Sequence, residues 1–331
     1  MKLLFTSLLL TGAAAFAFAQ AQPAGDYRLD GPFIHENLTV FLIHGPNKIN
    51  HNLLTLEEAI DQHKVVVYET RSVNELAIEN VSNEDVFIES GDIVKGGQQD
   101  RTLKDDLILP SKSGKVSIAS FCVEHGRWTR RGNESASTFN GSHQAVASKQ
   151  LKMAVKMQAD QAEVWNQVAR AQARLAGNLH SDPRPAASPT SFVMTMDAPV
   201  VQRSIDGYIQ ELAGIVNRKG DVVGYAFAIN GKVNSADIYA SHDLFAKLWM
   251  KLLRASAFEA VTDFEVGKKF DGVEAKVVKT ALVDADAGKP SARNVTERTE
   301  VVTKETDRNV VFETRDRAER GAWVHKNYLT K

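Results

Sequence analysis

Apolar positions in this chain follow two different rhythms. From residue 38 to residue 124 they come in short runs broken by turn-forming residues. The runs cover 38–43 (LTVFLI), 64–68 (KVVVY), 76–80, 86–89, 107–109 and 116–124. Between them lie His44-Gly45-Pro46-Asn47, Ser82-Asn83-Glu84, Ser90-Gly91-Asp92 and the turn at 111–114. Short β-branched runs at this spacing predict the strands of a β-sandwich or barrel. One short helix interrupts them at 55–63, with Thr55 as cap and Glu57 and Glu58 in the first turn.

The second rhythm is helical. Residues 144–176 contain neither Pro nor Gly, and Met157, Val164, Val168, Ala171 and Leu175 recur on one face, with Trp165 beside it. Gly177 is a natural stop. Pro183, Pro185 and Pro189 mark a stiff linker. A helix is predicted over 197–216, capped by Asp197, with Val201, Ile205, Tyr208, Ile209, Leu212 and Val216 as its buried stripe. Asn230-Gly231 between two apolar runs is a strong hairpin signal, because both central residues need positive φ. A helix follows over 242–258, whose apolar face is Leu244, Phe245, Leu248, Trp249 and Leu252. A further helix is expected over 270–285, a loop over 287–293, and strands over 295–304, 310–314 and 322–328.

The predicted fold is therefore α+β. An N-terminal, mostly-β, sandwich-like domain (26–135) is followed by a long bridging helix (144–177) and a Pro-rich linker (179–191). The C-terminal α+β domain (197–331) carries the Asn-Gly hairpin followed by a helix.

Composition places the chain in the ordinary globular class, with 43 % hydrophobic and 24 % charged residues. A net charge of -1 gives no basic field for nucleic acid. Residues 1–19 combine Lys2, an apolar run and Ala17-Phe18-Ala19, the pattern of a signal peptide cleaved after Ala19. The expected location is periplasmic or secreted, with no stable membrane insertion after cleavage. Cys122 is the single cysteine, so no disulfide forms within the chain. Nothing in the sequence sets an oligomeric state.

Candidate chemistry concentrates between Asp85 and Trp128. In Gly96-Gly97-Gln98-Gln99-Asp100-Arg101, two glycines allow a turn whose amides could cradle an anion, and Arg101 could clamp it. The alternative is a turn in which Gln98, Asp100 and Arg101 satisfy backbone groups and each other. Cys122-Val123-Glu124-His125-Gly126-Arg127-Trp128 is the second cluster. Strand alternation separates Cys122 from His125, which argues against a Cys-His nucleophile. It puts His125 and Arg127 on one side, with Trp128 as a stacking surface. Asp100 and Glu124 are the candidate acid–base carboxylates. Glu89 falls opposite Val86 and Ile88, which predicts a solvated position. The nine histidines are scattered, so no metal site is expected, and no nucleotide-fold or cofactor motif occurs.

The succession SGDIVKGGQQDR, a strand ending CVEHGRW, a helix carrying VWNQV and the hairpin-helix VVGYAFAINGKVNSADIYASHDLFAKLWMKLL resembles the ARG-and-rhodanese-phosphatase-superfamily-associated protein domain family. The resemblance spans roughly residues 38–254. It implies no activity for any residue, since the family name records association and not chemistry. The expectation from the residues is a non-catalytic module that binds an anionic small molecule or partner through Gly96, Gly97, Gln98, Asp100, Arg101, His125, Arg127 and Trp128. One alternative is a hydrolase of a nucleotide-like or ADP-ribose-like substrate. The other is a structural envelope protein, which an exposed apolar face around Phe245 and Trp249 would favour.

Overall fold

The computed structural model describes residues 27–331, apart from the side chains of residues 143–145. The expected signal peptide lies outside the described residues. Eight antiparallel strands make the main sheet, in the order β1 (Arg28–His35), β2 (Leu38–His44), β12 (Val222–Ile229), β13 (Lys232–Tyr239), β17 (Ala322–Thr330), β16 (Asn309–Asp316), β15 (Thr299–Glu305) and β14 (Lys289–Asn294). The segment over 287–293, expected as a loop, holds most of β14. All residues of β14 are exposed, so it carries no apolar alternation to betray it. Strand β2 sits between β1 and β12, which joins the N-terminal strands to the C-terminal sheet. Its run of apolar residues follows from burial on both faces. Leu38, Val40 and Leu42 pack into the helical layer, whereas Phe41 and Ile43 face α7 (Ala275–Asp286). The β12–β13 turn is Asn230-Gly231, both at positive φ.

The remaining long strands close on themselves. The barrel order is β10 (Gly114–Cys122), β5 (Glu75–Asn80), β4 (Val65–Ser72), β11 (Thr138–Val146), β7 (Asp92–Gly96) and β8 (Arg101–Leu103). This corrects the sandwich-like expectation. The short β8 pairs with both β7 and β10 and removes the open edges that a second sheet would otherwise cover. Val65, Val67, Leu76, Ile78, Val94, Leu103 and Phe139 fill its interior, with Leu56 and Ala59 of α1 (Leu56–Asp61). Thr55 caps α1 in a reciprocal capping box with Glu58. A small sheet of β3 (Leu54–Thr55), β6 (Val86–Ile88) and β9 (Leu107–Leu109) flanks the barrel.

The bridging helix is broken, and it starts later than expected because β11 extends to Val146. Segment α2 (Lys149–Met153) runs into a π-helical turn, Ala154–Gln158, and the chain reverses through Ala159 at positive φ. Asp160 then caps α3 (Gln161–Leu179), which buries Val164, Val168 and Leu175. After the proline segment come α4 (Phe192–Met196) and α5 (Pro199–Leu212). Asp197 closes α4, and α5 begins without a side-chain cap, with Pro199 in its first turn. Helix α6 (His242–Thr262) is the central one, buried at every residue from Leu252 to Thr262 except Arg254. Its Phe245 and Trp249 lie in the core at 0 % and 3 % exposure, so the exposed face that would mark an envelope-assembly surface is not there. Among the described residues, no helix is long and apolar enough to cross a membrane.

Candidate functional site

The turn after β7 needs its glycines. Gly97 stands at φ +54, and a Cβ there would fall 2.3 Å from the Phe139 ring and 2.6 Å from the Glu69 carboxylate. The turn does gather amides on anions, and those anions are the chain's own carboxylates. Gly96 N–H donates to Asp100 Oδ1 (3.1 Å), Gln98 N–H to Glu69 Oε2 (2.9 Å) and Gly97 N–H to the Ser135 carbonyl (3.0 Å). This corrects the expectation that these amides lie open to an incoming anion.

Asp100 and Glu124 are both 0 % exposed and both held by guanidinium groups. Arg131 grips Asp100 with two bonds of 2.9 and 3.1 Å, and Arg127 Nε donates to Glu124 Oε2 at 2.7 Å. Arg127 also reaches Asp100 at 3.4 Å, and Ser188 donates to the second Glu124 oxygen. Burial would lower the Arg131 pKa, yet Asp100 and Glu134 raise it above the usual guanidinium value. Arg131 is not apparent from the sequence, because nothing in its spacing ties it to Asp100. The expected shared side for His125 and Arg127 is also corrected. Gly126, at φ +85, turns the chain, so Arg127 folds back onto Glu124 while His125 packs on Trp165 at 4.4 Å.

Arg101 is different. It is wholly buried and pairs in register with Cys122, whose sulfur accepts from Nη1 at 2.7 Å, with the Gln99 carbonyl at 3.3 Å. Burial pushes the Cys122 thiol up to about 11, so it stays a neutral acceptor. Glu69 approaches Nη2 only to 3.7 Å. Nε and Nη2 have no hydrogen-bond partner among the described residues. Trp128 covers them, with Arg101 5.5 Å from its ring centroid and the indole 44 % exposed.

Beside the same strand end lies a groove of about 300 Å³, lined by His125, Trp165, Asn166, Gln172 and Thr190 among others. The proline segment forms one wall. Thr190 donates to the His125 carbonyl and Gln172 to the Pro189 carbonyl, so this segment is packed onto the strand end.

A second polar centre is buried where the barrel meets the main sheet. It joins Glu89 from the turn after β6, Asp92 at the start of β7, Asp106, Asp237 of β13, His325 and Asn327 of β17, Lys152, Lys156 and Lys251. Glu89 is 0 % exposed, which corrects its expected solvation. It sits past the end of β6, where alternation no longer applies, and takes the Tyr239 hydroxyl at 3.1 Å. Burial raises its pKa to about 7. Burial alone would lower that of His325, but Asp106 and Asp237 raise it to about 9. The ring stacks on Tyr239 at 4.4 Å. The visible signals were Lys152 and Lys156 at helical spacing inside an apolar stretch, and a Glu-Ser-Gly-Asp turn between apolar strands.

No curated protein and no solved structure matches the chain. A family model does match, over residues 26–329, and that span takes in the barrel, the main sheet and both polar centres. With nearly the whole length covered, the chain belongs to the ARG and Rhodanese-Phosphatase-superfamily-associated Protein domain family.

Proposed function

We propose that this chain is a non-catalytic module that binds an anionic small molecule at Arg101, beneath Trp128. One observation carries the reading. Arg101 is buried with two donor nitrogens, Nε and Nη2, unused, and the residue covering them is a half-exposed indole. Leaving such donors unpaired costs about 1–3 kcal/mol, more for a charged group, and a carboxylate or phosphate oxygen would recover it. The ligand enters as Trp128 swings outward, and the Asp100–Glu124–Arg127–Arg131 cluster holds the frame still. A non-catalytic role fits the carboxylates, because Asp100 and Glu124 are committed to arginines and neither is free to act as a base. The compartment expected from residues 1–19, periplasmic or extracellular, is part of the proposal.

A second reading puts a neutral, ring-bearing ligand in the groove lined by His125 and Trp165, favoured by its volume and aromatic lining. A thermal-shift screen separates the two. Phosphate, sulfate and small carboxylates raise the melting temperature under the first reading, and uncharged heterocycles do so under the second. Trp128→Phe assigns the accompanying change in indole fluorescence. A screen in which no anion shifts either signal removes the first reading.

A further inference from the structure

Glu89, Asp237 and His325 each bring one ligand-type atom to within 4.8 Å of the other two, in the buried centre. His325 is held for such a task. Its Nδ1 lies 2.8 Å from Asp106 Oδ2, which also takes the Thr314 hydroxyl, while Asp106 Oδ1 takes the Ser90 N–H. With Nδ1 donating to Asp106, Nε2 points at Asp237 Oδ1, 3.2 Å away. That is long for a charge-assisted bond, which runs about 2.7–2.9 Å. It matches the separation of two ligands on one tetrahedral ion with bonds of about 2.0–2.1 Å. A further observation is independent of the cluster. Glu89 Oε2 is buried in a residue with 0 % exposure and has no hydrogen-bond partner among the described residues, although Oε1 takes the Tyr239 hydroxyl.

We propose that Glu89, Asp237 and His325 Nε2 form a binding site for one divalent transition-metal ion, Zn²⁺ or Mn²⁺, oriented by Asp106. A carboxylate on the far nitrogen of a ligand histidine is the usual device that fixes tautomer and ring position. Two carboxylates and one imidazole suit an ion of intermediate hardness. On binding, the proton on Nε2 leaves to solvent and the ion takes its place. Lys152 Nζ stands 3.7 Å from Glu89 Oε1, beyond hydrogen-bond distance, and its charge also bears on Asp237. Lys152 and Lys156 offset carboxylate charge that the ion leaves uncompensated. The three ligand residues are at most 2 % exposed, so the ion loads as the chain folds or through local opening. This site is separate from Arg101, and either proposal stands if the other fails.

The test uses the full chain, stripped with a chelator in denaturant and refolded with Zn²⁺, Mn²⁺ or no metal. Metal content after gel filtration should reach one equivalent per chain, with a higher melting temperature than the metal-free protein. Asp106→Asn should weaken binding by about 10–100-fold while keeping the stoichiometry. Glu89→Gln should abolish the tight equivalent. Because a buried variant can fail to fold, refolding the unmutated chain with Co²⁺ gives a second readout. Visible absorption stronger than that of aqueous Co²⁺ reports a low-coordinate protein site. Less than a tenth of an equivalent retained with a spectrum no different from aqueous Co²⁺, or unchanged affinity in a folded Glu89→Gln, overturns the proposal.

Discussion

Two substitutions test the frame around Arg101 at the scale of single residues. Gly97→Ala puts a methyl against Phe139 and Glu69 at a positive φ. Backbone strain of about 1–3 kcal/mol adds to overpacking of similar size, so a loss of roughly 2–5 kcal/mol is expected from urea unfolding. Asp100→Ala removes the carboxylate that Arg131 grips, that Arg127 approaches, and that accepts from Gly96 N–H. Two largely buried arginines then share the remaining carboxylates, Glu124 and Glu134, and about 3–5 kcal/mol is lost. A loss below 1 kcal/mol in the same urea titration would mean that the cluster is solvated and not structural. The identity of these residues was legible in the sequence, but their partners were not. Gly96-Gly97 announced a turn, and strand alternation kept Cys122 apart from His125. No local signal says that Arg131, thirty-one positions away, completes Asp100.

Single elements were read best where the chain is most repetitive. The strands β2, β6 and β9 and helix α6 begin where their apolar runs begin. Strand β11 escaped, because Thr-Phe-Asn-Gly-Ser-His does not alternate and its pairing with β7 and β4 is set by closure of the barrel. The bridging helix looked continuous because helix propensity does not register a reversal at Ala159. Helix α6 carries a pH prediction. Burial raises the pKa of its Glu259 to about 7, against a value near 4.5 for an exposed side chain. The folded chain therefore holds a proton between those values that the unfolded chain releases, so this group's stability contribution is present at low pH and lost as pH rises through that window. Lys149 N–H and the Asn234 amide already bond the carboxyl, at 3.0 and 3.1 Å. Glu259→Gln should gain about 2–3 kcal/mol over the native chain between pH 5 and pH 8, read from urea midpoints. A constant difference between the two proteins across that range would show that Glu259 is not desolvated as described.

At the scale of the whole molecule, hydrophobic packing crosses the boundary between the barrel side and the main sheet, with charge placed at the seams. One core cluster takes residues from the main sheet, from α3, α5 and α6, and from the barrel-side Phe87, Ile93 and Phe121. The local pattern predicts a division at the proline segment, whereas β2 crosses that division to pair with β12. Pairing across 178 (His44–Val222) to 191 (Leu38–Ile229) positions leaves no trace in a local pattern, which is why that pattern predicts two domains. The same seam brings Glu89, Asp106 and His325 together from distant parts of the chain, so that centre emerged only with the fold. At the barrel's other seam arginines and carboxylates pair with one another, and Arg101 is an exception, with Nε and Nη2 lacking a hydrogen-bond partner among the described residues. Isothermal titration of phosphate, sulfate and small carboxylates into the native chain and into Arg101→Lys tests that exception most directly. Lysine keeps the charge and removes the fork. The account predicts that at least one anion binds the native chain and that the variant binds it 10–100-fold more weakly, with the native fold intact by circular dichroism. Equal affinity in the two proteins, or no heat from any of these anions, would contradict it.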